Sequence, residues 1–186
     1  MHPFSPTKEA NFVLSNAELL ADKETVTIAL NKMANEISKK LKNSNPIVVA
    51  IMNGGVIPLG MLLPKLDFLL ETDYLHPTRY NNSTTGSKLH WIKKPPENFT
   101  GRNILLVDDV LDNGITLEQT IKECLKVGAQ EVYTAALVEK NLASRDGLQK
   151  TDFVGLKLPD RYLFGYGMDY KKYHRNANGI FALAGT

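Results

Sequence analysis

Two unbroken apolar runs constrain this chain more than anything else in it: residues 47–52, IVVAIM, and 104–107, ILLV. A strand with one face in water alternates apolar and polar residues, whereas a strand covered on both faces does not. Residues 132–138 read as a further buried strand and 153–158 as another strand. Between the runs lie segments of helical character, 56–66 and Thr116 to about Val127, the second closed by Gly128. Parallel strands need crossover connections, so the order strand, helix, strand, helix, strand predicts an α/β fold with a mostly parallel central sheet and right-handed crossovers. Ahead of it, residues 16–42 carry Leu20, Ile28, Met33, Ile37 and Leu41 at helical spacing, with Asn16 as the expected cap and Asn43-Ser44-Asn45-Pro46 as the stop. Shorter strands are expected at 68–75, 89–92 and 162–163, and the polar stretch 80–87 has the composition of a mobile loop.

Length and charge narrow the class. A chain of 186 residues, 43% hydrophobic and 23% charged, can bury one full core. A formal net charge of +2 gives no sign of a polyanionic partner, so no nucleic acid is expected. Cys124 is the only cysteine, which rules out an internal disulfide and suits a reducing compartment. The opening MHPFSPTKEA lacks the basic and apolar regions of a signal peptide, and no apolar run approaches the length of a membrane span. A cytoplasmic protein without a membrane partner is the expectation. His2, His76, His90 and His174 show no metal-ligand spacing, and Cys124 reads as core.

The chemistry concentrates where the second apolar run ends, in ILLVDDVLDNGITLEQTI (104–121). In open parallel sheets, ligands bind beyond the carboxyl ends of the strands, and Asp108 through Thr116 fall at such an end. Asn113, Gly114, Ile115 and Thr116 precede a helix, whose first amides and dipole favour an anion. Gly114 allows close approach to the backbone and Thr116 adds a hydroxyl donor, which together describe a phosphate cradle. Asp108 and Asp109 do the opposite work, attracting hydroxyls and hard cations such as magnesium. A phosphate site and a diol-and-metal site this close together describe a ribose 5-phosphate. Plain turn chemistry, or an acidic pocket that takes phosphate onto an aspartate, uses the same residue types. Neither G-x-x-x-x-G-K-[ST] nor G-x-G-x-x-G occurs in the chain.

LLVDDVLDNGIT (105–116) closely resembles the phosphoribosyl pyrophosphate motif of the type I phosphoribosyltransferases. MNGG (52–55), LVEK (137–140), DFVGLKLPDRYLFGYGMDY (152–170) and YHR (173–175) are similar, in order, to the 6-oxopurine branch of that family, the hypoxanthine-guanine phosphoribosyltransferases. The resemblance runs from about residue 47 to the end. It implies a type I phosphoribosyltransferase fold in one domain, 1–186, with a core over about 45–150 and a small hood from about 1–44 and 151–186. It implies purine salvage: transfer of the 5-phosphoribosyl group from phosphoribosyl pyrophosphate to hypoxanthine or guanine, giving IMP or GMP and pyrophosphate. A non-catalytic nucleotide sensor on the same fold is the alternative. The family also implies a homodimer or homotetramer.

Residue by residue, the resemblance makes Asp108 and Asp109 the partners of the ribose hydroxyls and the first magnesium ion. Asn113 to Thr116 take the 5-phosphate, and Asp112 is the acid and base near N7 of the purine. Lys140 matches the donor to the 6-oxo group, Tyr162 the aromatic ring stacked on the base, and Leu163 the purine edge, with Met168 in the same pocket. Asp169 matches a ligand of a second magnesium, and Arg175 a pyrophosphate contact. Asn53, Gly54 and Gly55 match the pyrophosphate loop, with a non-proline cis peptide expected between Met52 and Asn53. Relatives often carry a basic residue where Asn53 stands, which leaves part of that charge to Arg79. Tyr80 follows directly, where relatives usually have a small residue, and opens the loop expected to close over the reacting centre.

Overall fold

The computed structural model describes residues 5–79 and 89–185. Helix α1 (Pro6–Asn16), strand β1 (Glu18–Asp22) and helix α2 (Lys23–Leu41) open the chain. Then follow β2 (Ile47–Ile51), α3 (Val56–Leu62), β3 (Glu71–Arg79), β4 (Leu89–Lys93), β5 (Asn103–Leu111) and α4 (Ile115–Lys126). The chain ends in β6 (Glu131–Lys140), β7 (Phe153–Leu158), β8 (Leu163–Phe164) and β9 (Gly179–Ala182).

The larger sheet has the order β4-β3-β2-β5-β6-β7 and is parallel apart from β4, which runs antiparallel to β3. Its central strands show why their sequences are unbroken apolar runs. Val48, Ala50, Leu105, Val107, Ala135 and Leu137 pack on one face with Val26, Leu30, Met33, Ile37 and Leu41 of α2 and with Leu59 and Leu62 of α3. Ile47, Val49, Ile51, Ile104, Leu106 and Ala136 pack on the other face with Leu117 and Cys124 of α4, and with Phe99. Side chains alternate along a strand, so a sheet covered on both faces needs an apolar residue at every position.

The helix ends have local causes. Asp22 caps α2 by accepting the Thr25 amide at 2.8 Å. Helix α4 closes where Gly128 adopts φ 95°, with its amide on the Leu125 carbonyl at 3.0 Å and the Ala129 amide on that of Cys124 at 3.1 Å.

The smaller sheet, β1-β9-β8, is antiparallel and joins the two ends of the chain. It carries its own aromatic core: Phe164 is stacked on Phe181 at 5.6 Å and lies 5.6 Å from His174. Helix α1 docks there through Glu9, which accepts from the Tyr170 hydroxyl at 2.8 Å and the Lys171 ammonium at 2.6 Å. The Ala10 carbonyl meets His174 Nε2 at 2.7 Å.

Three expectations shift. The helix expected over 16–42 begins only at Lys23, and Asn16 instead ends α1, its side-chain amide donating back to the Phe12 carbonyl at 2.8 Å. Residues Glu18–Asp22 form a strand because their partner is β9, an element some 160 residues away (Glu18 opposite Ala182), and tertiary pairing overrides local propensity. The boundaries near 44 and 150 also move: α2 packs on the large sheet and β7 is that sheet's edge, so both belong to the core layer. The strand expected over 68–75 runs instead as β3, with Phe68 and Leu70 packed half-buried ahead of it. Tyr80 and the stretch to Ser87 lie outside the described residues, as does the side chain of Arg79, the last residue of β3.

Candidate active site

The register of the sheet creates the site. Pairing between β2 and β5 ends at Ala50 opposite Val107, while β5 continues beside β6 as far as Leu111 opposite Glu139. Beyond Val107, β5 therefore loses its neighbour on one side. There β2 turns away through a cis peptide between Met52 and Asn53, as expected from the sequence. A cavity of about 530 Å³ opens at this point, with the segment from Tyr162 to Arg175 closing it from the hood side.

At its floor two glycine turns pack against one aspartate, Asp109. A Cβ added to Gly54 would lie 2.3 Å from Asp109 Oδ2. A Cβ on Gly167, where φ is 111°, would lie 2.3 Å from the Gly54 carbonyl oxygen and 2.9 Å from Asp109 Cβ. Only glycine fits at 167, where backbone stands in the way, and any side chain at 54 would have to displace the Asp109 carboxylate that packs against the turn. Arg175 completes the floor, with Nη1 donating to the Gly167 carbonyl at 2.5 Å, Nη2 paired with Asp169 at 2.5 Å, and Nη1 3.8 Å from Asp109.

Burial raises the pKa of both neighbouring acids. Asp108 is raised well above the ordinary carboxylate range by its desolvation, with the adjacent Asp109 charge adding to it. For Asp109 desolvation also dominates, but a hydrogen bond with Asp108 and the Arg175 guanidinium oppose it. Cys124, on the buried face of α4, has its thiol pushed up to about 12 by desolvation, in keeping with a core residue.

One end of the cavity is the turn into α4. Gly114 caps that helix in the left-handed region at φ 78°, without a side-chain cap bond of its own. The Asn113 side chain accepts the Ile115 amide at 3.2 Å. A Cβ on Gly114 would strike the Leu148 carbonyl oxygen at 2.3 Å, so the turn is pinned from behind as well as shaped by the helix start. The other end holds Lys140, the last residue of β6. Its side chain is 12% exposed, and its ammonium lies 3.3 Å from Asp112 and 3.3 Å from Asp160. Tyr162 stands beside it, its hydroxyl donating to the Asp169 carbonyl at 3.1 Å and its ring edge-on to Tyr170 at 5.9 Å. Leu163 and Met168 are buried in the same wall.

Most of the residues singled out from the sequence therefore converge: Asn53, Gly54, Asp108, Asp109, Asp112, Asn113, Gly114, Thr116, Lys140, Tyr162, Leu163, Met168, Asp169 and Arg175 all line the cavity. Gly55 and Ile115 do not line it. The Gly55 amide is turned back onto the Ile51 carbonyl at 2.7 Å, and a Cβ there would meet the Val107 carbonyl oxygen at 2.3 Å. Its part is to let the turn pack on β5. Asp160 and Gly167 escaped the sequence reading. Asp160 belongs to a Pro-Asp turn whose composition explains itself, and nothing local signals what Gly167 must clear.

An acid-lined strand end, a glycine-capped helix start and a hood closing over both define a class, and comparison with known proteins agrees. The model of the phosphoribosyl transferase domain matches residues 16–171, and the chain belongs to that family. Among curated proteins it is similar to the hypoxanthine-guanine phosphoribosyltransferase of Bacillus subtilis, 27% identical over 167 residues that cover 89% of this chain and 92% of the relative. It is 26% identical to the hypoxanthine-guanine-xanthine phosphoribosyltransferase of Tritrichomonas foetus over 158 residues, 85% of this chain and 86% of that one. Among solved structures, a hypoxanthine-guanine-xanthine phosphoribosyltransferase superposes with a TM-score of 0.74 at 25% identity, covering 89% of this chain and 93% of the other. The fold is the type I phosphoribosyltransferase fold expected from the sequence. No helix among the described residues is long and apolar enough to cross a membrane.

Proposed function

We propose that the protein is a purine-salvage enzyme that transfers the 5-phosphoribosyl group of phosphoribosyl pyrophosphate to hypoxanthine or guanine, releasing pyrophosphate and IMP or GMP. The observation that carries this reading is the pair formed by Lys140 and Asp112, 3.3 Å apart, on the wall that leads to the Gly114 turn. A buried ammonium offers donors and no acceptor, which suits a 6-oxo group and opposes the 6-amino group of adenine. A carboxylate beside it suits the proton at N7. The names of the curated relatives support the same substrates.

The 5-phosphate sits in the turn from Asn113 to Thr116, at the start of α4, where the helix dipole favours an anion. Asp108 and Asp109 take the ribose hydroxyls. Asn53, Gly54 and Arg175 face the pyrophosphate, with Arg79 as a further cation. Tyr162, Leu163 and Met168 hold the flat base between the hood and the strand ends. As pyrophosphate leaves C1 with its bonding electrons, the purine nitrogen attacks from the opposite side. Asp112 manages the proton displaced at N7. The chain acts mainly by positioning the partners and by stabilising charge that develops on the sugar.

The donor set suits magnesium. Asp108 and Asp109 are hard oxygen donors held side by side in a desolvated place, a like-charge arrangement that a divalent cation relieves. Asp108 and Asp109 would hold one ion and Asp169 a second. An ion held there would supply positive charge that offsets the charge of the pyrophosphate.

The test is turnover: hypoxanthine, phosphoribosyl pyrophosphate and magnesium with the purified chain, followed for IMP, with adenine as the control base. No product, together with tight nucleic-acid binding, would return the reading to a non-catalytic sensor. The family resemblance also carries assembly as a homodimer or homotetramer in the cytoplasm, and a monomer mass by light scattering would count against the assembly.

A further inference from the structure

The connection between β6 and β7 contains a feature that the reaction as described does not use. Residues 141–150 have no regular secondary structure, yet they fold back over the phosphate turn. The Gly147 amide donates to the Asn113 carbonyl at 3.0 Å and the Leu148 amide to that of Gly114 at 3.2 Å. The backbones approach so closely that a Cβ on Gly147 would lie 2.5 Å from the Gly114 carbonyl carbon. At the centre is the guanidinium of Arg145. Its Nε donates to the Asp112 carbonyl at 2.8 Å, its Nη1 to the Gln149 carbonyl at 2.8 Å, and its Nη2 to the Lys140 carbonyl. Gln149 fixes the arginine in turn: its amide nitrogen donates to the Arg145 and Gly147 carbonyls, each at 2.7 Å, and its side-chain oxygen accepts the Arg145 amide at 3.1 Å.

The two outer carbonyls held by Arg145 belong to Asp112 and Lys140, whose side chains pair inside the cavity. One residue lies in the loop after β5 and the other ends β6, and the ladder between these strands stops at Leu111 opposite Glu139. Past that point no strand pairing fixes the separation of the two. A planar fork of five donors can bind several carbonyls in fixed directions at once, which a single ammonium on a flexible stem cannot do. The guanidinium is directed at backbone and not at a carboxylate, so its charge is spent on holding the two segments at a set distance.

We infer that Arg145 is a positioning residue that sets the span between the phosphate turn and the base-recognising pair Asp112 and Lys140, so that a nucleotide reaches both ends at once. This rests on the proposed phosphoribosyl transfer to a 6-oxopurine. The arginine touches no substrate and acts through the backbone of two residues that do.

The experiment compares wild type, Arg145→Lys and Arg145→Ala, first in turnover of hypoxanthine and then in calorimetric binding of IMP and of ribose 5-phosphate. IMP spans both ends, whereas ribose 5-phosphate uses only one. A misplacement of the order of an ångström in reacting groups costs roughly 10²-fold, and a loss of about that size in kcat/KM for the base is expected in both variants. IMP affinity should fall at least tenfold more than ribose 5-phosphate affinity, and added guanidinium should restore part of the turnover of Arg145→Ala but none of that of Arg145→Lys. Unchanged kcat and KM in Arg145→Ala, or equal weakening of both ligands without rescue by guanidinium, would overturn the inference while leaving the function standing. A wild-type chain that makes no IMP removes the functional reading itself and this role with it.

Discussion

Single residues divide into those whose type announces a chemical task and those whose type is set by steric room. Asp112 is of the first kind. With its carboxylate 3.3 Å from Lys140, Asp112→Asn should keep affinity for the sugar donor and lose roughly 10²- to 10⁴-fold in turnover. Unchanged turnover would remove it as the proton-transfer group. Gly54 is of the second kind. A methyl group in Gly54→Ala would be built 2.3 Å from Asp109 Oδ2, so either the turn or the carboxylate must move. Steady-state kinetics should show a loss in kcat at saturating base that no excess of magnesium restores; wild-type kinetics would mean that the floor is softer than its contacts imply. The acids from Asp108 to Asp112 could be read from the chain because their chemistry is carried by residue type and position at a strand end. The interlock of Gly54, Asp109 and Gly167 could not, because it is a contact between segments more than fifty residues apart.

At the scale of elements, the strands buried on both faces were the plainest to read, the partly exposed β4 and β7 were also legible, and β1 was not. β2 and β5 have unmistakable sequences because both faces of the sheet are covered. β1 has none: its Leu19 and Leu20 suit a helix, and the strand exists only because β9 lies alongside. The start of α2 makes the point testable. Its N-cap is Asp22, whose carboxyl is held below the ordinary aspartate value first by the Thr25 amide. A carboxyl with a depressed pKa in the folded state contributes stability that is fully present above the unfolded-state value and is lost as pH falls through the folded one. Asp22→Ala should therefore lower the thermal midpoint by a few degrees at neutral pH, and the gap to wild type should close in acid. A gap that stays constant down to strongly acidic pH would assign the cap to something other than the ionised carboxylate.

For the whole molecule, the two sheets carry different duties. The large sheet supplies the strand ends, and the hood, stitched from both chain ends, supplies the wall that faces them across the cavity. Phe164 is fully buried in the hood's aromatic core and belongs to neither cluster on the large sheet, whereas its neighbours Leu163, Ile180 and Ala182 join the cluster beneath α2. Phe164→Ala should cost about 3–5 kcal/mol of local stability. Native-state hydrogen exchange should then rise in β8 and β9 while amides of β5 and β6 keep their protection, and base binding should weaken more than donor binding. Uniform loss of protection would show that hood and sheet open as one unit.

The amino-acid order alone determined the buried strands, the crossover helix and the acidic turn between them, because burial on both faces and chemistry at a strand end are written in consecutive residues. Tertiary structure decided the rest: that Glu18–Asp22 is a strand, that α2 and β7 belong to the core, that Asp160 stands beside Lys140, and that Arg145 reaches two loops at once. Each of these depends on a neighbour distant along the chain, and no local periodicity records a neighbour that only folding brings near.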